Sequence, residues 1–314
     1  MLLCTGLLRQ PDGTESVRRF MISAGRLRIG PLQWNLQSAD EVATRREMSA
    51  YQEFICPPGS PNDRAVLFEM AVSIRRESRP LPEGEPTYWS GGHWAAWQAD
   101  HDWIFACGFH QRPKPTRVCR VCQNLHEAEM TVDPESSDPA DAAGECPLRY
   151  PMDQILAWGM LGRIGGALLH ASVAVDPHGD AWVFTAPSQT GKSTMAHLCL
   201  DAGWDVLAED RVMIYPRGGR MMAAGTPWAG SGQFARNREA PLRKILLLQQ
   251  AAENRLETLD STTLLRSLLV TTSVPWFEPD WSQHTLDALE GIARGVDCAR
   301  LHFTRSPAAV DALG

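Results

Sequence analysis

Residues 186–194, Ala186-Pro187-Ser188-Gln189-Thr190-Gly191-Lys192-Ser193-Thr194, concentrate the residue types that can hold phosphate. They follow Ala181-Trp182-Val183-Phe184-Thr185, a short β-prone run, and lead into a helical pattern that ends at Gly203, a residue suited to a helix C-terminus. A strand, a small-residue loop and a helix in that order are the setting of a phosphate-binding loop, and Ala186 stands where its first Gly is usual. Gly191 can adopt backbone angles closed to other residues, so successive N–H groups converge on phosphate oxygens at the positive end of the helix. Lys192 then supplies a compact charge for the β- and γ-phosphates and the Ser193 hydroxyl a ligand for Mg²⁺, with Thr194 supporting the first turn. The chemistry implied is the binding of ATP, or a closely related nucleotide, with Mg²⁺.

A second set of chemical residues follows. Asp205 to Tyr215 reads as a strand interrupted by Glu209 and Asp210, at the kind of strand end where ligands of open α/β sheets collect. One carboxylate there can hold Mg²⁺ and another can accept a proton from an attacking hydroxyl, which is the division of labour phosphoryl transfer needs. An acidic pair in a solvated turn is the plainer reading of the same two residues. His170 opens an earlier strand and is a catalytic or a structural histidine on equal terms. Gly225-Thr226-Pro227-Trp228-Ala229-Gly230-Ser231-Gly232 reads as a glycine-rich turn, and Arg236 and Arg238 beyond it are either a phosphate clamp or solvated side chains.

These residues must be positioned by regular elements. Ala171–Val175 and Ala181–Thr185 flank Asp176-Pro177-His178-Gly179-Asp180 and predict a hairpin whose second strand feeds the loop. Met152 to Leu169 has apolar residues at helical spacing, with Asp153 placed to favour the helix N-terminus. Upstream, LRIGPLQWNL and WIFACGF are short apolar runs bounded by Gly or Pro, and they predict a β-rich unit. TVDPESSDPADAAG, from Thr131 to Gly144, has neither period and reads as a linker. The organisation expected is a β-rich α+β domain over 1–130, an acidic Pro/Ser/Ala linker over 131–147 and a nucleotide-binding domain over 148–314. STTLLRSLLV and TLDALEGIARGV near the C-terminus predict helices packed on the core. No internal repeat suggests a solenoid or propeller.

The 314 residues carry 30 basic and 37 acidic side chains, a net charge of −7 without a long basic run, which argues against nucleic acid or an anionic membrane as partner. No run approaches the roughly 20 apolar residues of a membrane span, and MLLCTGLLRQ does not read as a signal peptide, so a cytoplasmic location is expected. Eight cysteines are too few for a disulfide-stapled secreted domain. Cys119 and Cys122 form a CxxC near Cys107, His110, His126 and Cys146, from which a four-ligand zinc site can be assembled; the spacing is loose, and ordinary reduced thiols are the preferred reading.

The run from His170-Ala171-Ser172 through the phosphate loop to Leu207-Ala208-Glu209-Asp210-Arg211-Val212 resembles the catalytic domain of the HPr kinase/phosphorylase family. The remainder, including Gly225-Thr226-Pro227-Trp228 and PLRKILLLQQ, is similar to the smaller HPr-kinase-like proteins of modified-peptide gene clusters, such as lasso-peptide kinases. The resemblance implies a mixed α/β (α+β) core related to PEP carboxykinase beside a smaller β-rich N-terminal domain, and a kinase acting on a serine hydroxyl of a peptide or small protein. Carried over by position, it puts His170 near the active site, Lys192 on the phosphates, and Ser193 and Asp210 on Mg²⁺. Glu209 stands where the family has its catalytic Asp, leaving the base open between Glu209 and Asp210. The Glu-Arg-Gly loop of the regulatory enzyme is absent from this sequence, which argues against the phosphorylase half-reaction and against HPr as substrate. A recognition protein that uses ATP only to order a peptide-binding surface is the alternative, and either reading leaves room for a homo-oligomer.

Overall fold

The computed structural model describes residues 22–38, 51–56, 66–109, 114–136, 148–187 and 190–313. Among them two mixed sheets carry most of the chain and helices are few. The first sheet has nine strands: β1 (Ile22–Ile29), β2 (Leu32–Ser38), β3 (Ile55–Cys56), β4 (Phe68–Arg76), β5 (Tyr88–Trp89), β6 (Trp94–Ala99), β7 (Asp102–Cys107), β8 (Arg117–Val121) and β9 (Glu127–Val132). Their spatial order is β3-β1-β2-β4-β9-β8-β7-β6-β5. LRIGPLQWNL forms the β1–β2 hairpin, turning at Gly30, whose φ of 53° suits a residue without Cβ. The β-rich reading of this stretch therefore holds. Thr131 and Val132 belong to β9, so the strand continues past Met130 into the expected linker, most of which, 137–147, lies outside the described residues.

The second sheet is built from β10 (Ala167–Val175), β11 (Ala181–Thr185), β12 (Asp205–Ala208), β13 (Arg211–Arg217), β14 (Arg220–Ala224), β15 (Glu239–Gln250), β16 (Arg255–Thr258) and β17 (Asp297–Phe303). The order β11-β10-β13-β14-β15 closes on itself because β15 also pairs with β11, in parallel. Two long strands make this ring. The first residues of β10 pair with β13 and its last with β11, while β15 meets β14 through Glu239–Pro241 and β11 through Leu242–Leu247.

Both faces of the second sheet are covered, which explains why its strands read as continuous apolar runs. On β15, Ile245 and Leu247 join a cluster with Val173, Leu264, Leu268, Leu289 and Ile292. Leu246 and Leu248 point the other way, into a cluster with Phe184, Met195, Cys199, Leu301 and Phe303. The period of two along the strand divides its side chains between two helical layers. One layer holds α3 (Ser261–Thr271) and α4 (Pro279–Gly295), and the other α2 (Lys192–Asp201) and α5 (Ala308–Asp311). The C-terminal helices expected from sequence are α3 and α4; Asp260 caps the first, its side chain accepting from Thr263 N at 2.7 Å.

Helix α1 (Met152–Arg163) lies where the two sheets meet. Ile155, Leu156 and Met160 are buried in one cluster with Leu27, Trp34 and Phe105 of the first sheet and Tyr215 of the second. The sequence predicted helix as far as Leu169, but the helix ends at Arg163 and Ala167 already starts β10. Gly165, at φ 70°, breaks it, and Gly166 packs so closely on β13 that a Cβ would sit 2.9 Å from the Ile214 carbonyl oxygen. The apolar residues after the glycines suit a doubly covered strand as well as a helix, so periodicity alone misassigned them.

Candidate functional site

The predicted hairpin forms with Ala171 opposite Thr185 and Val175 opposite Ala181. Thr185 ends β11, and the phosphate-loop sequence follows directly. Gly191 is the N-cap of α2 at φ 117° and ψ 21°, a left-handed conformation that permits the turn into the helix. Its missing side chain is also used sterically: a Cβ would lie 2.7 Å from Cζ of Phe303 at the end of β17. The Gln250 amide, at the end of β15, donates to the Thr190 carbonyl at 3.1 Å and holds the loop from the same side. Helix α2 ends as expected, with Gly203 at φ 83° beyond its last turn.

Ala186 and Lys192 are buried, and Ser193 and Thr194 are half-buried in the first turn of α2; Pro187 is exposed, and Ser188 and Gln189 lie outside the described residues. The Lys192 ammonium donates to the carbonyl oxygens of Ala186 at 2.9 Å and Pro187 at 3.2 Å. Burial pulls its pKa below the usual lysine value, Asp210 opposes that and Arg211 adds to it. The ammonium is thus folded onto its own loop, within electrostatic reach of the acidic residue across the sheet.

The acidic pair sits at an interruption in a strand. β12 and β13 run along the same edge of β10, with Val173 opposite Ala208 and His170 opposite Arg211, and Glu209 and Asp210 fall in the gap between the two pairings. Such irregularities re-aim side chains out of a ladder. Thr185 and Asp210 therefore flank β10 on opposite edges near His170 and Ala171. Two inter-strand steps separate them, roughly 10 Å at ordinary sheet spacing.

The two acids are aimed differently. Asp210 Oδ1 lies 2.9 Å from His170 Nδ1, and Oδ2 lies 3.2 Å from Arg211 Nη1. Arg211 Nη1 also lies 2.6 Å from His170 Nδ1, so the three side chains form one closed set. Burial alone would raise the Asp210 carboxyl; the hydrogen bond with His170 and the charges of Arg211, His170 and Lys192 outweigh it and hold the group below the usual aspartate range. Glu209 is 3% exposed and turns away from this set. Its Oε1 accepts the backbone N–H groups of Gly232 and of Gln233, the latter at 3.1 Å, while Oε2 is buried with no hydrogen-bond partner among the described residues.

The other candidates separate clearly. Arg236 pairs with Glu53 at 2.8 Å and Arg238 with Asp205, so both guanidinium groups are engaged on the outer surface and the phosphate-clamp reading is dropped. Among the described residues no three His, Cys, Asp or Glu side chains lie together as a metal site, so they give the zinc expectation no support. Cys119 faces the core of the first sheet and burial raises its thiol pKa, whereas Cys122 sits beyond the strand end against Asn124 at 2.7 Å. Strand positions an odd number apart face opposite ways, and the chain leaves the strand after Val121, which separates the pair further. His126 stacks on Phe68 with ring centroids 4.8 Å apart, and His110 and Cys146 lie outside the described residues.

Sequence reading missed Arg211, which adjoins Asp210 and was legible as a counter-charge, and Phe303 and Gln250, which no local pattern connects to Gly191. It also missed a buried acid. Asp153, expected only to favour a helix N-terminus, is fully buried; its Oδ2 accepts from Tyr51 Oη at 2.6 Å and from Trp228 Nε1 at 3.0 Å. Burial raises its pKa to about 6, against the lowering effect of those hydrogen bonds and of Arg117.

No family model matches the sequence, and no curated protein matches it. A solved structure of the Hpr(Ser) kinase/phosphatase from Coxiella burnetii is similar over 46% of this chain and 92% of that chain, at 11% identity and a TM-score of 0.27. That likeness is too loose to bear on function. No described helix is long and apolar enough to cross a membrane.

Proposed function

We propose that the chain is an ATP-dependent kinase that transfers the γ-phosphate to a hydroxyl, that of a serine in a peptide or small protein. The observation that carries the reading is the pairing of a glycine-capped loop and Lys192 on one edge of β10 with the Asp210, His170 and Arg211 set on the other. The residues fit a Mg²⁺-nucleotide. The left-handed Gly191 opens the N-terminus of α2 to phosphate oxygens, the Lys192 ammonium holds, among the described residues, carbonyl oxygens that a phosphate can replace, and Mg²⁺ needs few protein carboxylates because phosphates and water complete its shell. Ser193 and Asp210 would hold the metal, which when bound neutralises phosphate charge.

In this scheme Lys192 leaves the Ala186 and Pro187 carbonyls for the β- and γ-phosphates. Arg211, already beside Asp210, adds positive charge where the transferred group gains negative charge. The acceptor oxygen attacks the γ-phosphorus in line, the bond to the ADP oxygen breaks, and the acceptor proton passes to the Asp210–His170 pair. Asp210 is ionised and its Oδ1 lies 2.9 Å from His170, so a carboxylate stands beside the imidazole; its lowered pKa suits the metal-holding role and makes it a weak base that carries the proton only in passing. The serine acceptor rests on the resemblance of the 170–212 run alone.

The test is intact-mass spectrometry of serine-containing peptides incubated with the protein and Mg·ATP, with Lys192→Ala in parallel. One phosphate gained with the wild type and none with the variant is expected. Binding of ATP without any phosphorylated product would instead favour the recognition role.

A further inference from the structure

We infer that Glu209 is a positioning residue that anchors the loop Gly230–Gln233 as the acceptor-side wall of the site, and that it takes no proton in the reaction. The inference rests on the kinase reading and deepens it. Its first support is the fate of the carboxylate. One oxygen caps two successive backbone N–H groups, those of Gly232 and Gln233, and the other is sealed from solvent without a donor. A base must reach the proton it removes, and a group turned into a loop and enclosed by it does not.

The second support is the fit of loop to acid. A Cβ at position 230 would lie 3.1 Å from Glu209 Oε1, a tight contact, and one at position 232 would collide with Oε2, so the glycines, Gly232 in particular, let the backbone close on the carboxylate. The side chain needs the length of glutamate to reach them, which gives a reason for Glu at this position: its neighbour Asp210 stays in the charged set while Glu209 reaches past it.

The third support is where the loop lies. At Gly230 a Cβ would sit 3.3 Å from Cβ of Asp210, so the loop passes directly beside the proton-accepting residue. At its other end the Phe234 ring meets His197 of α2, centroids 5.3 Å apart, and His197 Nδ1 is 2.7 Å from the Ser193 carbonyl oxygen. The loop thus spans from Asp210 to the first turns of the phosphate-binding helix. Gly230, Ser231 and Gln233 retain solvent-accessible surface there, open to an approaching peptide backbone or hydroxyl.

The experiment compares Glu209→Gln with Glu209→Ala by hydrogen exchange at the Gly232 and Gln233 amides. It adds steady-state kinetics with Mg·ATP, using a serine-peptide library as acceptor probe, and Mg·ATP affinity. Gln keeps a carbonyl oxygen for both N–H groups but cannot act as a base, whereas Ala removes the anchor. The expected result is that Glu209→Ala loses amide protection tenfold or more and raises the acceptor KM at least tenfold, on the scale of a lost charge-assisted pair, with nucleotide affinity unchanged. Glu209→Gln should restore protection and bring kcat to within about threefold of wild type. Loss of turnover in Glu209→Gln as complete as in Asp210→Asn, with the amides still protected, would make Glu209 a base and overturn the inference. Unchanged protection in Glu209→Ala would overturn it too. The exchange arm needs no turnover, so a wild type that transfers nothing would refute the kinase reading while the anchoring is still decided.

Discussion

Asp153 is fully buried while Asp210 keeps 34% of its side chain exposed, and the partners around the two acids differ as sharply as their burial. At the gap between β12 and β13, Asp210 meets an imidazole and a guanidinium, with Lys192 within electrostatic reach, and its carboxyl is held low. In the first turn of α1, Asp153 meets a phenol and an indole, neutral donors that only partly offset burial, and its carboxyl rises to about 6. Cationic partners keep an acid ionised and ready for cations; neutral partners in a buried site make it a strut. Tyr51 and Trp228 belong to segments far apart in the chain, so the Asp153 strut ties the first sheet to the segment that leads into the Gly230–Gln233 loop.

The largest expected effect tests the chemical side of that contrast. Asp210→Asn and Lys192→Ala should each lower phosphate transfer on the order of a thousandfold or more while leaving the thermal midpoint nearly unchanged. An Asp210→Asn protein that retains transfer would erase the distinction between the two acids. Next in size, Asp153→Ala should lower folding stability by about 3 kcal/mol in urea unfolding, because two buried donors lose their acceptor. The folded fraction should bind Mg·ATP with wild-type affinity.

The pH dependence sharpens the comparison, because the two acids contribute with opposite sign. The Asp153 carboxyl keeps its proton to about pH 6 in the folded protein, above the usual aspartate value of 3.8. The folded state therefore binds more protons in that interval, and this contribution to stability is lost as pH rises through it. Emission from Trp228, isolated as the difference between wild type and Trp228→Phe, should titrate near pH 6, and a flat difference would argue against the buried carboxyl as its partner. For Asp210 the folded pKa is lowered, so its contribution is present above the ordinary aspartate value and lost as pH falls through the lowered one. The smallest effect belongs to the exposed pairs: Arg236→Ala and Arg238→Ala should each change stability by about 1 kcal/mol or less and leave nucleotide affinity unaltered.

Much of the loop side of the candidate site was legible because it is local. The strand, loop and helix from Ala181 to Asp201 are contiguous, and the turn residues Asp176 to Asp180 announce the hairpin before them. The acidic side was half legible. The break in apolar pattern marked Glu209 and Asp210, but two adjacent carboxylates look alike in sequence, and the partners that distinguish them, His170 and the Gly232 and Gln233 amides, arrive from other segments. Asp153 was read from its place at a helix start, where an acid is favourable whether exposed or buried, so its buried network left no local trace. The end of α1 was misread because the residues after Gly166 are apolar under either secondary structure, and the pairing of β10 on both edges decides the outcome.

The most direct test of the central claim is calorimetric titration of Mg·ATP into wild type, Lys192→Ala and Asp210→Asn. Saturable binding by the wild type, abolished by Lys192→Ala and made independent of Mg²⁺ by Asp210→Asn, is the predicted result. No binding by folded wild-type protein, or undiminished binding by Lys192→Ala, would contradict a nucleotide site at this loop.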